Sequence, residues 1–421
     1  MTADLGASAS RALSAVLLLG GAAAGCAPVT CAAGDASADP IEGSPVDAAH
    51  EARYDGPFDV PAGPAVTVPL TGCGGPGYAA VFSVGGTALD LTIDTGSATL
   101  AAALDSCTNC GVPAAYVPGP AAVDDHKLVS ASYLMGSWQG EVYTDSVALD
   151  PLDASVTMKF SAIESQTSFF GGMGCGLGTV RFAPEGIVGF GPLNLAVTGT
   201  DSFLTKVVQA GIARDVFAVE LCAYGGQLMI GGVDPTAAAL SGPAAYTPLG
   251  QSSYYSVSLT DMSLAGASLG YGGGDFGATA IDTGTSVLAL PPAIFDSLSS
   301  AVEGSAAFTN AFSGKKGWFG TTDCLTSTVG RAELDAELPP LTLAFPGADG
   351  GAVALNLKPT QSYLSTSIGA GGQTYYCSGL YRLQNPTGAS TILGTAVMQG
   401  HLVIFDREGS RLGFAEQTFC P

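Results

Sequence analysis

Two short stretches hold the residue types that could do chemistry. "LTIDTGSATL", residues 91–100, and "TAIDTGTSVL", residues 279–288, each carry an acid, Asp94 or Asp282, at the end of an apolar run, followed by threonine, glycine and a hydroxyl residue. A carboxylate at the inner end of an apolar strand loses hydration, which favours its neutral form. The glycines that follow, Gly96 and Gly284, let main-chain N–H groups approach the acid. Ser97 and Thr285, three positions after each acid, can donate hydroxyl hydrogen bonds to the outer carboxylate oxygens, and Thr95 and Thr283 are placed to tie the two loops together. Either motif alone reads equally well as a strand-end turn that caps its own backbone. Two such acids in contact cannot both ionise easily, so they would share a proton and titrate as a unit. That pair performs water-mediated acyl chemistry: the ionised member takes a proton from water while the protonated member polarises a carbonyl. No metal, cofactor or covalent nucleophile is required.

The two acids meet only if the chain repeats. The first Asp-Thr-Gly is followed by "GIVGFG", with Ile187 lying 93 positions after Asp94; the second is followed by "TILGT", with Ile392 lying 110 positions after Asp282. The same pair of motifs, in the same order, predicts two similar halves related by a pseudo-twofold axis. From about residue 65 onward, short apolar runs such as "YAAVFSV", "LDLTI", "SVTMKFSAI", "VFAVEL" and "HLVIFD" alternate with Gly, Ser, Thr and Pro, an all-β texture. Helical patterns are few, chiefly residues 201–211 and 291–304.

Composition narrows the setting. Fourteen Lys and Arg against 36 Asp and Glu give a formal charge of −22, which argues against nucleic acid or an anionic membrane surface as partner. Arg11 precedes the apolar stretch "ALSAVLLLGGAAAGCA", which reads as a signal peptide over residues 1–24 and is too short for a membrane span. Lipid attachment at Cys26 is the alternative reading of that stretch. Residues 25–65, rich in Ala, Asp and Pro, read as a linker or pro-segment, and the C-terminal "RLGFAEQTFCP" carries no apolar tail. Ten cysteines behind a signal sequence point to disulfides. The three histidines, His50, His126 and His401, lack partners at zinc-ligand spacing and read as surface or packing residues, leaving a Ser-His-Asp triad without support.

The motifs "IDTGSA", "IDTGTSVL", "GIVGFG" and "TILGTAVMQGHLVIFDREGSRLGFA" resemble the pepsin-like aspartic proteases from about Val68 to Cys420. The resemblance implies a bilobal all-β fold with the active-site cleft between two related lobes, here residues 66–242 and 243–421. It implies Asp94 and Asp282 as the catalytic dyad, supported by Thr95, Gly96, Ser97, Thr283, Gly284 and Thr285. "SYLMGSWQGEVYTDSVAL" is similar to the family's flap, a hairpin closing over substrate, with Tyr133 as the flap tyrosine and Gly136 and Ser137 near the tip. Phe169 and Ile187 are the implied pocket residues.

Some positions depart from the family pattern. Leu134 and Met135 stand where Gly and a small hydroxyl residue are usual, Ala101 replaces a tryptophan that commonly holds the flap tyrosine, and Thr395 replaces an acid, a change expected to move the pH optimum upward. The resemblance also pairs Cys107 with Cys110, Cys324 with Cys377 and, as in the memapsin branch, Cys222 with Cys420; Cys73 with Cys175 and Cys26 with Cys31 then remain. The function implied is an aspartic endopeptidase, secreted or in the lumen of an acidic compartment, active at acidic pH on bonds flanked by apolar residues. Its expected partner is a protein or peptide substrate, with no metal, no transmembrane anchor and a monomeric state. A pepsin-fold binding or inhibitor protein is the alternative that the altered flap keeps open. A two-carboxylate glycosidase fits poorly, since Trp138 and Trp318 are the only tryptophans available as sugar platforms.

Overall fold

In a computed structural model of the chain, the described residues are 65–74, 77–133, 136–170, 183–235, 237, 242–368, 372–384, 388–417 and 420. The signal and linker segments up to residue 64, Leu134, Met135 and Cys175 lie outside them. Strands dominate, as the Gly-punctuated apolar runs predict, and the all-β, two-lobed class expected from the sequence is the class observed.

A thirteen-stranded sheet forms the frame. Its order runs Ala245–Pro248, Arg411–Glu416, His401–Asp406, Val216–Leu221, Tyr224–Ile230, Val66–Cys73, Gly77–Val84, Thr87–Asp94, Gly186–Gly189, Leu100–Ala103, Ser155–Thr167, Ser137–Leu149 and Val123–Ser132. Strands from near the C-terminus therefore pair with Val216–Leu221, so the two halves share one ladder. Sheets of five, four and three strands complete the second half among the described residues.

The internal repeat appears as two copies of one crossing. In the first, Thr87–Asp94 runs parallel to Gly186–Gly189, which pairs antiparallel with Leu100–Ala103 on its other side. In the second, Thr279–Ile281 runs parallel to Thr391–Leu393, which pairs antiparallel with Leu288–Leu290. Leu100–Ala103, Gly186–Gly189, Thr279–Ile281 and Leu288–Leu290 are buried at every position, whereas Thr87–Asp94 alternates, burying Leu89, Leu91 and Ile93 and leaving Ala88, Asp90 and Thr92 at least partly exposed. Each crossing delivers one Asp-Thr-Gly to the same end of the frame.

Below the crossings the halves share aromatic packing. Phe217 and Phe405 stack with centroids 4.4 Å apart, flanked by Phe190 and Tyr255, and the Tyr255 hydroxyl donates to the Phe190 carbonyl at 2.8 Å. Both expected helices form. Phe203–Gln209 is capped by Ser202, and Pro292–Glu303 starts on a proline and buries Ile294, Phe295, Leu298 and Val302 along one face. Within "YYSVSLTDMSL" the chain forms two short strands, Ser256–Val257 and Asp261–Leu264, which join different sheets.

Disulfides link Cys107 with Cys110, Cys324 with Cys377 and Cys222 with Cys420, the three pairings implied by the resemblance. Cys73 is also disulfide-bonded, its partner lying outside the described residues. No helix among the described residues is long and apolar enough to cross a membrane.

Candidate active site

Asp94 is the last residue of its strand and is 4% exposed. The chain turns immediately, so the Gly96 N–H donates to Asp94 Oδ1 at 2.7 Å and the Ser97 hydroxyl to Oδ2 at 2.5 Å. Asp282 follows Ile281 at the end of the second copy, and the same contacts recur: the Gly284 N–H donates to Oδ1 at 2.8 Å and the Thr285 hydroxyl to Oδ2 at 2.6 Å. Each glycine is required by the opposite acid. A Cβ on Gly96 would stand 2.6 Å from Asp282 Oδ1, and one on Gly284 would collide with Asp94 Oδ1. The two carboxyls are thus hydrogen-bond neighbours.

Thr95 and Thr283 lock the two turns together. The Thr95 hydroxyl donates to the Ile281 carbonyl at 2.9 Å and accepts from the Thr283 N–H at 3.0 Å. In return, the Thr283 hydroxyl donates to the Ile93 carbonyl at 2.7 Å and accepts from the Thr95 N–H at 3.0 Å. Both side chains are buried, so all four bonds act without competition from water.

Electrostatics follows from this geometry. Burial pushes the Asp94 carboxyl well above the ordinary carboxylate range, and the neighbouring Asp282 charge pushes it further; the Ser97 hydrogen bond opposes the shift. A pair in this setting shares one proton and titrates as a unit.

The hairpin of Val123–Ser132 and Ser137–Leu149 stands over this end of the frame, its tip closed by the Tyr133 N–H donating to the Gly136 carbonyl at 2.7 Å. Tyr133 lies between the rings of the wall and the acids: its ring is 5.4 Å from that of Phe169, and its hydroxyl sits beside Ser97 and the Trp138 indole. Burial and then the Asp94 charge raise the Tyr133 phenol. Ile187 packs in the same cluster, the backbone of Gly136 lies against that of Phe169, and Ser137, paired with Ser132 beside the turn, also pairs with Thr167. The structure therefore gathers the sequence-selected residues Tyr133, Gly136, Ser137, Phe169 and Ile187 into one region adjoining the acids.

Two residues escaped the sequence reading. Trp138, 1% exposed, packs in the same cluster as Ala101, so the indole absent from position 101 is supplied from the hairpin instead. The signal was present as an apolar Trp one step beyond Gly136–Ser137, five positions after Tyr133. Its Nε1 has no partner at full hydrogen-bond geometry. Tyr254 is the second: burial and the charges of Asp282 and Asp94 raise its phenol, which places it beside the pair from the second half. Thr395, at the position where an acid is usual, is buried and donates to the Gly74 carbonyl at 3.1 Å.

Of the three histidines, His50 lies outside the described residues. His401 is buried in its strand, and burial holds its imidazole below the usual range. His126 is exposed on the hairpin with Asp124 and Glu141; their donor atoms come within 4.8 Å of one another, and His126 Nδ1 lies 3.1 Å from Asp124 Oδ2.

Comparison with known proteins agrees with the geometry. The chain is 27% identical over 360 residues to a beta-secretase of Strongylocentrotus purpuratus, covering 79% of this chain and 64% of that protein, so it spans under two thirds of that relative's length. It is 25% identical over 339 residues to an aspartic protease of Phaffia rhodozyma, covering 80% and 75% of the two chains. It is 28% identical over 361 residues to penicillopepsin-3 of Penicillium janthinellum, covering 81% and 78%. The family profile described as eukaryotic aspartyl protease matches residues 77–417, and with both Asp-Thr-Gly turns inside that span the chain belongs to the eukaryotic aspartyl protease family.

Proposed function

We propose that the protein is an aspartic endopeptidase in which Asp94 and Asp282 activate water for attack on a peptide bond. The observation that carries this reading is the symmetric placement of the two carboxyls, each held by its own Gly N–H and hydroxyl and cross-tied through Thr95 and Thr283. Asp94 holds the shared proton and donates it to the substrate carbonyl oxygen as Asp282 takes a proton from water. The hydroxyl adds to the carbonyl carbon, giving a neutral tetrahedral diol. On collapse, Asp282 returns its proton to the departing nitrogen and Asp94 recovers one from the diol, so the pair ends as it began. Gly96, Ser97, Gly284 and Thr285 hold the carboxyls in orientation throughout, which removes a reorganisation cost at the moment of reaction.

Tyr133, Phe169 and Ile187 offer apolar surface, which favours substrates with apolar side chains next to the cleaved bond. Gly136 and Ser137 act near the tip of a flap over the substrate. Residues 66–242 and 243–421 form the two lobes, and residues 1–24 act as a secretory signal; four sets of disulfide-bonded cysteines accord with an oxidising destination. The test is direct: the purified protein is given a denatured protein substrate at acidic pH, with and without a statine-type transition-state analogue. Cleavage that the analogue blocks is expected. Cleavage insensitive to the analogue, or sensitive instead to a serine-directed reagent, refutes the reading.

A further inference from the structure

A chain of side-chain contacts leads from the Cys107–Cys110 disulfide to the tip of the hairpin. Cys107 and Cys110 close the short loop "CTNC", and Asn109 within it faces Gln166 near the end of the strand Ser155–Thr167. Asn109 Nδ2 donates to the Gln166 carbonyl at 2.8 Å, Asn109 Oδ1 accepts from the Gln166 N–H at 3.2 Å, and Gln166 Nε2 donates to the Asn109 carbonyl at 2.8 Å. Gln166 Oε1 then accepts from the N–H of Phe169 at 2.8 Å and from that of Phe170 at 3.4 Å. Between them the chain bends through Ser168, whose φ of 54° lies in the left-handed region. Phe169 in turn packs on Tyr133 and on the backbone of Gly136, and the Phe170 ring packs edge-on against it at 4.9 Å.

Both amides are chemically fixed in orientation. Reversing Asn109 would set its NH2 against the Gln166 N–H and its oxygen against the Gln166 carbonyl. Reversing Gln166 would set two N–H donors against its NH2 and a carbonyl against its oxygen. A charged or purely apolar side chain at either position loses at least one half of this arrangement. The strand ends at Thr167, so the backbone that carries Phe169 has left its ladder and depends on the Gln166 amide for its position.

We propose that Asn109 and Gln166 form a clamp, fastened by the Cys107–Cys110 disulfide, that sets the aromatic wall opposite Tyr133 and thereby the enzyme's preference for large apolar substrate side chains. They are positioning residues that act through Phe169 and Phe170. The inference rests on the endopeptidase reading and deepens it.

The experiment compares the wild type with Gln166→Met, Gln166→Glu, Asn109→Ala and the Cys107→Ser/Cys110→Ser double variant. Two internally quenched peptides are used, with Phe-Phe or Ala-Ala at the scissile pair, and amide hydrogen exchange is followed at Phe169 and Phe170. Gln166→Met and Asn109→Ala are expected to raise KM for the Phe-Phe peptide about fivefold, leaving kcat, its pH profile and the Ala-Ala KM within about twofold. Gln166→Glu, which keeps the acceptor for the two N–H groups, recovers part of the loss, and the double variant behaves as Asn109→Ala. Exchange at Phe169 should quicken about tenfold in Gln166→Met. Equal falls in kcat for both peptides, or unchanged KM for both, overturn the clamp. If the wild type cleaves neither peptide, the endopeptidase reading fails separately, and unchanged exchange in Gln166→Met then overturns the clamp by itself.

Discussion

Thr95 and Thr283 each give a hydroxyl to the other half's backbone and each take an N–H from the other's turn, so the two acids are registered by four buried bonds and not by packing alone. Thr283→Val keeps the shape but leaves the Thr95 N–H and the Ile93 carbonyl buried without partners. The expected cost is about 2–4 kcal/mol of stability, measured by denaturant unfolding, with kcat down at least about tenfold because a misplaced dyad loses alignment. Thr283→Ser should restore most of both.

The pH dependence follows from Asp94. Its carboxyl titrates above the ordinary range through burial and the neighbouring Asp282, and its proton is needed on the carbonyl oxygen. The rate kcat/KM should therefore persist above the usual carboxylate range and fall as pH rises through the Asp94 ionisation. A bell-shaped profile measured with a non-ionising peptide checks this. A profile that keeps rising to neutral pH and beyond contradicts it.

Glu220 supplies a stability test. It lies on the interior strand Val216–Leu221, fully buried, beside Gln417, and burial raises its carboxyl above the usual range. The folded protein thus binds a proton that the unfolded chain has already lost, so stability falls as pH rises from about 4 toward the folded-state value. Glu220→Gln should be more stable than the wild type at pH 7 and equal to it at pH 4, as read by thermal unfolding at both values.

Trp138 and Ala101 make a paired prediction. Ala101→Trp forces a second indole into a buried cluster already filled by Trp138 and should destabilise the fold. Trp138→Ala leaves a cavity worth about 3–5 kcal/mol and frees Tyr133, raising KM. The double variant returns one indole to the cluster and should recover more stability than the sum of the single effects predicts. Additive losses would show that the two positions do not share one space.

Much of this was legible in the sequence. The doubled Asp-Thr-Gly and the doubled Gly-Ile-Val-Gly and Thr-Ile-Leu-Gly segments specified both crossings, because the short inner strands Gly186–Gly189 and Thr391–Leu393 are mostly buried and the turns after the acids need glycine. The role of Trp138 was not legible, since a tryptophan missing from a floor strand and one present on a hairpin are far apart in the chain, and only packing shows that they fill one cluster. Tyr254 was hidden in the same way: its sequence context marks a strand entry, and its nearness to the acids comes from how the second half folds back. The clamp of Asn109 and Gln166 joins residues 57 positions apart through polar contacts that leave no periodic trace.

The central claim is that Asp94 and Asp282 act as one unit. Its most direct test is the kinetics of Asp94→Asn, Asp282→Asn and the double variant on a quenched peptide at acidic pH, with thermal unfolding confirming that each is folded. Each single change should abolish cleavage to within the residual rate of the double variant, a loss of at least about a thousandfold. Robust cleavage by Asp94→Asn, or two partial losses that simply multiply in the double variant, would contradict it.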